Sequence, residues 1–199
     1  MKKLTLQGIV FSSLMAALLV LFSYVSIPLG FTPVPVTLST LAVMLAGGLL
    51  GARYGFLSMA LIVVLTAVGL PMVRGMGGYA VLLGPTGGYI WMWPFSALLV
   101  GLVLPRIKMR GVAGYIAAFF VILLFGSLLL YVTGVPWLAH VTGISLSKAM
   151  VGGFYPYLLG DVLKAALATV IIASVRQVFP PERLTGSGSR PVSANSRAK

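Results

Sequence analysis

The chain has 199 residues, 59% of them hydrophobic and 8% charged, and its mean hydropathy is +1.08. This composition excludes an ordinary soluble domain, which is roughly half apolar and about a quarter charged, and it indicates a protein of the lipid bilayer. The net charge of +12 would also fit a nucleic-acid-binding protein, but most of the cations stand at the ends of apolar runs or in the C-terminal tail, where membrane proteins carry them.

Six apolar stretches predict an all-α integral membrane protein with six transmembrane helices. A helix that crosses a bilayer needs about 20 mostly apolar residues, and the sequence offers such stretches at about 5–26, 37–52, 54–70, 87–105, 112–133 and 154–178. The first is too long for the core of a cleaved signal, so we expect it to be retained. Residues 1–180 form the predicted membrane domain. Residues 181–199, polar and rich in Ser, Gly and Arg, are predicted to be a disordered cytoplasmic tail or a remnant of cloning.

The distribution of cations predicts the orientation. If the N-terminus is cytoplasmic, only Arg74 and Lys148 lie outside, and the cytoplasmic side receives Lys2, Lys3, Arg53, Arg106, Lys108, Arg110, Arg176 and Arg183. This is the positive-inside pattern, and the reverse orientation would invert it. Both termini are therefore predicted to be cytoplasmic.

The first span carries small residues at helical spacing, which allow close helix contact. Gly8, Ser12 and Ala16 are four residues apart. Packing within the bundle and docking of an external partner both explain this stripe.

The outer loops predict a lid and pocket open to the outside. They cover about 28–37, 70–88 and 134–153 and are long and rich in Gly and Pro, whereas the inner connections are short and basic. Arg74 either closes over a ligand anion or is simply solvated. We expect the pocket to be lined or covered by loop residues of the first two loops and the start of the fourth span, namely Phe31, Thr37, Arg74, Tyr79, Thr86, Gly87, Gly88 and Tyr89.

The sixth span contains the only acid within any predicted span. Asp161 and Lys164 share one helix face, with Tyr157 on the same stripe. A charge facing lipid costs about 2.5–3.5 kcal/mol, so both should point into the bundle. A pair that only joins helices is one interpretation. The favoured one is a binding site in which Lys164 pairs with a ligand carboxylate and Asp161 accepts hydrogen bonds from N–H groups.

Several other types of site are excluded or disfavoured. A single histidine, His140, and no cysteine leave no multi-histidine or thiolate metal site. The sequence contains no phosphate-binding loop of the G-x-x-x-x-G-K-[ST] type, so uphill transport would need a partner or an ion gradient. Trp91, Trp93 and Trp137 are predicted to form the outer aromatic belt, although one of the first two could stack on a ligand ring. No cofactor and no enzymatic activity are expected.

Four motifs resemble those of the BioY family, the biotin-specific S components of energy-coupling factor (ECF) transporters. They are GFTPVPVTLST (30–40), GLP with the following Gly-rich loop (69–78), LLGPTGGY (82–89) and YLLGDVLKAALA (157–168). The resemblance runs from about residue 5 to 178 and leaves the tail uncovered. At Ser39 the family pattern usually has Gln.

The resemblance implies a biotin-binding membrane subunit of a bacterial cytoplasmic membrane. Its partners would be a transmembrane coupling (T) subunit and ABC ATPase subunits. Its ligand contacts would include Asp161 and Lys164, and the matching loop residues 32–37 and 84–89 would line or cover the pocket. S components also carry small residues at four-residue spacing on the first helix for docking, and the candidates here are Ser12 and Ala16, or Ser13 and Ala17. Two alternatives are a stand-alone proton-coupled carrier of a small organic anion, with Asp161 as the proton-linked group, and an intramembrane enzyme, for which the chain offers few catalytic groups.

Overall fold

The computed structural model describes residues 4–186 and is mostly helical. Met1, Lys2, Lys3 and the part of the predicted tail from 187 to 199 lie outside the described residues. The long helices are α1 (Leu6–Tyr24), α2 (Ser39–Ala67), α4 (Gly87–Val103), α5 (Gly111–Leu123), α6 (Leu129–Thr142) and α8 (Leu158–Val178). Shorter elements join them: α3 (Tyr79–Leu82), α7 (Leu146–Gly153), α9 (Pro181–Leu184), and a strand pair, β1 (Ser26–Ile27) and β2 (Val36–Thr37), which is antiparallel with Ser26 opposite Thr37.

The described residues contain five helical segments that are long and apolar enough to cross a membrane. They are Leu6–Tyr24, Ser39–Ala67, Gly87–Arg106, Gly111–Thr142 and Leu146–Val178. The prediction of a helical, multi-pass membrane fold is therefore confirmed. Side chains on the outside of these helices are largely apolar, as a lipid-facing surface requires.

The helix α2 consists of two segments that fold back on each other at Gly51. Gly51 has φ 76° and ψ −178°, which is not helical. A Cβ added at Gly55 would lie 3.0 Å from the carbonyl oxygen of Ala46 and 3.1 Å from the nitrogen of Gly47. In a continuous helix residues eight positions apart are separated by about 12 Å. The chain therefore reverses at Gly51, between the predicted stretches 37–52 and 54–70.

The third outer loop, predicted to be irregular over 134–153, is helical instead. The helix α6 continues to Thr142 with Pro136 inside it, and α7 follows after the left-handed Gly143. Two hydrogen bonds fix this part of α6 to the start of α4: Thr133 Oγ1 donates to the Gly88 carbonyl (2.8 Å) and Trp137 Nε1 to the Gly84 carbonyl (2.9 Å). These tertiary contacts thus stabilise helix in a segment whose Gly and Pro residues predicted a loop.

The small residues of α1 face α2, which favours packing within the bundle over docking of a partner for Gly8, Ser12 and Ala16. A Cβ added at Gly8 would overlap the ring of Tyr54. Ser12 Oγ donates to the Tyr54 carbonyl (3.1 Å), and Ala16 is buried in the core. These residues pack inside the bundle and offer no surface to another protein. The alternative stripe, Ser13 and Ala17, is exposed.

One end of the bundle, called here the terminal end, brings the two ends of the described chain together. Thr5 Oγ1 donates to the Thr185 carbonyl, and Gln7 Nε2 donates to the Arg183 carbonyl (3.2 Å). The helix α9 contacts α1 and α2 here, and Thr185 is buried. Ordered structure therefore extends beyond residue 180, where we placed the end of the membrane domain.

Candidate ligand-binding site

A cavity opens at the end of the bundle opposite the terminal end. It holds about 680 Å³ of space not occupied by protein atoms, part of it open to solvent. Residues from the outer loops and from α2, α4, α6 and α8 converge on it, so that most of the long helices contribute to one site. The lining residues are Val34, Pro35, Thr37, Ser39, Thr40, Val73, Arg74, Thr86, Tyr89, Ile90, Trp93, Leu130, Tyr131, Gly153, Tyr157, Asp161 and Lys164.

The charged centre of the cavity is an ion pair in the first turns of α8. Lys164 Nζ lies 2.9 Å from Asp161 Oδ1 and also donates to Thr40 Oγ1 at 3.0 Å. The whole residues are only 1% exposed for Asp161 and 8% for Lys164. Their spacing of three residues in α8 places both side chains on the face that points into the bundle, as the sequence predicts.

Two hydroxyl groups hold the other carboxylate oxygen. Ser127 Oγ and Tyr131 OH both donate to Asp161 Oδ2. Ser127 lies in a π-helical segment, Leu124–Leu128, inserted between α5 and α6. Segments of this kind are frequent at functional sites because they change which side chains face inward. Here the segment and the first turn of α6 supply both hydroxyls.

The pair retains capacity to bind a ligand. An ammonium group has three N–H donors, and the described contacts of Lys164 use two of them. An ionised carboxylate offers about four lone-pair sites, and the described contacts of Asp161 use three. One donor and one acceptor therefore stand next to each other at the bottom of a cavity whose other walls are mostly apolar.

Aromatic side chains on α4 and α6 form a wall of the cavity. Tyr89 and Tyr131 pack edge to face, with ring centroids 6.0 Å apart. Tyr89 OH donates to the Gly153 carbonyl at 2.9 Å, which fixes the ring against α7. Trp93, one turn further along α4 than Tyr89, is buried and lines the cavity. These rings give a rigid apolar surface with few polar groups, which suits a small ligand with an apolar body.

Loop residues form the mouth of the cavity. Arg74 is the one non-glycine residue among the described residues with positive φ (54°), and it stands in a tight turn closed by the pairing of Val73 with Met76. Its backbone N–H donates to Ser23 Oγ at 2.9 Å. Elsewhere in the lining, Tyr157 OH donates to the Val34 carbonyl, which ties the first loop to the start of α8.

The structure brings seven of the predicted ligand-binding residues to the cavity: Thr37, Arg74, Thr86, Tyr89, Tyr157, Asp161 and Lys164. The other four do not line it. Gly87 and Gly88 are buried packing positions, where a Cβ at Gly88 would overlap Trp137. Phe31 and Tyr79 are 66% and 69% exposed on the surface. The two glycines pack close to α6 and the two aromatic rings face outward, so contact of these four residues with a ligand stays a prediction.

Among the residues that were not assigned to the site from the sequence, four bond to the Asp161–Lys164 pair or form part of the aromatic wall. Trp93 was attributed mainly to an aromatic belt, although it lies four residues after Tyr89 and thus on the same face of α4. Ser127 and Tyr131 are also four residues apart and polar within an apolar span, a signal that could have identified them. Thr40 carries no such signal, since its role depends on how α2 meets α8.

Comparisons with known proteins show what this chain is similar to. The family model described as "BioY family" matches residues 1–181. A "Biotin transporter BioY" of Lactococcus lactis subsp. cremoris is 34% identical over 173 residues, which are 86% of this chain and 91% of that protein. A protein of the same name from Rhizobium etli is 36% identical over 179 residues, which are 87% of this chain and 95% of the relative.

A solved structure has the same fold. It is described as the S-component for biotin from an ECF-type ABC transporter, and it superposes with a TM-score of 0.79 at 34% sequence identity. The match covers 85% of this chain and 90% of that one.

Proposed function

The chain belongs to the BioY family, and from this membership we propose that it is the substrate-binding subunit of a biotin uptake transporter. The observation that carries the proposal is the buried Asp161–Lys164 pair at the bottom of a cavity with aromatic walls. Biotin has a ureido head, an apolar thiophane ring and an apolar chain that ends in a carboxylate. Such a ligand needs polar groups at both ends of the site and an apolar wall between them.

The ureido head fits the ion pair better than the carboxylate does. A ureido group presents a carbonyl oxygen directly beside an N–H group. Lys164 Nζ and Asp161 Oδ1 present the complementary donor and acceptor side by side, 2.9 Å apart. A carboxylate at this position would be attracted by Lys164 but repelled by Asp161. We therefore place the head at this pair and the carboxylate near Arg74, at the mouth of the cavity.

Titration calorimetry with biotin and biotinamide tests both the function and the orientation of the ligand. Biotinamide retains the ureido head but lacks the negative charge. We expect Arg74→Gln to weaken biotin at least about tenfold and to change biotinamide by less than about twofold, as loss of one charge-assisted hydrogen bond predicts. Lys164→Met should weaken both ligands. Lys148→Gln, a charge loss at an exposed site, is the matched control.

The two possible failures are distinguishable. If the folded wild-type protein bound neither ligand saturably, the proposed function would be refuted. If Lys164→Met instead weakened biotin but spared biotinamide, the orientation would be reversed while biotin binding remained.

The proposed topology has six spans with both termini in the cytoplasm. The two segments of α2 on either side of Gly51 would each cross, as short helices, alongside the four other long segments. Cations support this orientation: Arg53, Lys108, Arg110 and Arg176 line cavities at the terminal end, whereas Arg74 lies at the mouth of the candidate site. The site would then face the outside of a bacterial cytoplasmic membrane.

The proposed partners are a transmembrane coupling subunit and ABC ATPase subunits. The structural relative described as an S-component of an ECF-type ABC transporter supports this assembly and favours it over a stand-alone proton-coupled carrier. Since Gly8, Ser12 and Ala16 are buried, we propose that the coupling subunit contacts the neighbouring face of α1, where Ser13 and Ala17 are exposed among apolar side chains. Small residues at this spacing permit close helix contact in a membrane.

A further inference from the structure

A second cavity, at the terminal end, is lined by basic residues. It lies between the α4–α5 connection and the C-terminal part of α8, with about 1090 Å³ of space not occupied by protein atoms, part of it open to solvent. Lys108 and Arg110 contribute from the connection and Arg176 from α8, while Glu182 is the one acid in the lining. Three cations and one acid give this cavity a net positive charge, and the biotin site does not involve it.

Arg176 has an unused hydrogen-bond donor. Its Nε donates to the carbonyl oxygen of Gly48 at 2.6 Å, which fixes the guanidinium plane. Its Nη2 is buried and has no hydrogen-bond partner among the described residues. An arginine that only extends to solvent from a membrane helix would keep this nitrogen accessible to water. A buried charged donor without a partner is costly, so its retention points to a bound acceptor.

The apolar surroundings of the cavity indicate where that acceptor comes from. Val112, two residues after Arg110, is 76% exposed, and Val178 and Phe179, just after Arg176, are 58% and 48% exposed. In a membrane protein such side chains face acyl chains. The basic cavity therefore opens at the boundary between the hydrocarbon and the headgroups.

We propose that this cavity binds a phosphate group, supplied by the headgroup of an anionic phospholipid. Arg176, already oriented by Gly48, donates Nη2–H to a phosphate oxygen, and Lys108 and Arg110 close over the phosphate from the connection. Basic pockets between membrane helices recognise anionic headgroups in this way. The site would attach the α4–α5 connection and the end of α8 to one lipid and leave the biotin cavity at the other end unchanged.

Titration of the purified full-length protein with short-chain lipids tests the proposal. The probes are dihexanoyl phosphatidylglycerol, dihexanoyl phosphatidylcholine and inorganic phosphate. The two lipids are used below their critical micelle concentrations. The variants are Arg176→Gln and the double substitution Lys108→Gln/Arg110→Gln. The matched control is Arg106→Gln/Arg183→Gln, which removes the same charge from exposed residues of the terminal end that do not line the cavity. The melting temperature of each variant checks its fold.

We expect saturable, one-to-one binding of phosphatidylglycerol, weakened about tenfold or more by Lys108→Gln/Arg110→Gln and less than about threefold by the control, since each cation near a headgroup contributes about 1 kcal/mol. If Arg176→Gln fails to fold, the affinity of Lys108→Gln/Arg110→Gln for phosphatidylglycerol tests the proposal on its own. If inorganic phosphate bound to the cavity as tightly as phosphatidylglycerol, the phosphate site would stand and its ligand would be free phosphate. Equal binding of phosphatidylcholine, equal losses in the control, or no saturable binding would overturn the proposal.

Discussion

Asp161 and Lys164 depend on each other, and this dependence allows stability and binding to be separated. In Asp161→Asn the Lys164 side chain, which is only 8% exposed as a whole residue, remains buried without its counter-charge. Breaking a buried pair in this way costs about 3–5 kcal/mol. For a chain of this length we expect the melting temperature to fall by about 6–20 °C.

The double variant Asp161→Asn/Lys164→Met removes both charges. Ser127 and Tyr131 can still donate to the amide oxygen of Asn at position 161, and the Met side chain occupies the space of the lysine stem. Replacing a buried ion pair by groups of similar volume is often neutral or stabilising. The double variant should therefore recover to within about 1 kcal/mol of the wild-type stability, so the effects of the two substitutions should be far from additive.

Biotin affinity should not recover with stability. The double variant lacks both charged groups that we place at the ureido head, and a hydrogen bond to a charged group contributes about 1.5–3 kcal/mol. The expected loss of affinity is about 10²–10⁴-fold. Thermal unfolding in detergent and titration calorimetry, both with Lys148→Met as an exposed control, measure the two quantities. Wild-type affinity in a stable double variant would refute the role of the pair in binding, and a stable Asp161→Asn would refute its burial as a charged pair.

Three further predictions concern other parts of the molecule. Ser127→Ala removes one of two donors to Asp161 Oδ2 and should weaken biotin about tenfold in calorimetry without unfolding the protein; unchanged affinity would contradict this. Ala17→Trp, on the exposed side of α1, should prevent co-purification with the coupling subunit while biotin affinity stays within about twofold, and an intact complex would show that another surface docks. Gly88→Ala should lower the melting temperature, since its Cβ overlaps Trp137 and overpacking costs about 1–3 kcal/mol; an unchanged melting temperature would mean that α6 can move away.

The parts of the structure that could be predicted from the sequence are those governed by one residue or by local spacing. The membrane spans follow from apolar length, and the inward direction of Asp161 and Lys164 follows from the cost of exposing charge to lipid. The packing role of Gly88 could not be predicted this way. A glycine at a helix start is equally suitable for a ligand or for a neighbouring helix, and only the position of Trp137 decides in favour of the helix.

The π-helical segment Leu124–Leu128 explains why the α6 side of the site was missed. If the regular helix of α5 continued from the buried Ile122, the inward positions would fall at about 129, 133 and 136, with 3.6 residues per turn. The buried residues of α6 are Leu130, Gly134, Val135 and Leu138, about one to two residues later. A single extra residue in the π turn rotates everything after it by about 100°. This rotation turns Tyr131 toward Asp161. The spacing of Ser127 and Tyr131 marks them as a polar pair, but a projection that assumes one continuous helix does not show that they face Asp161.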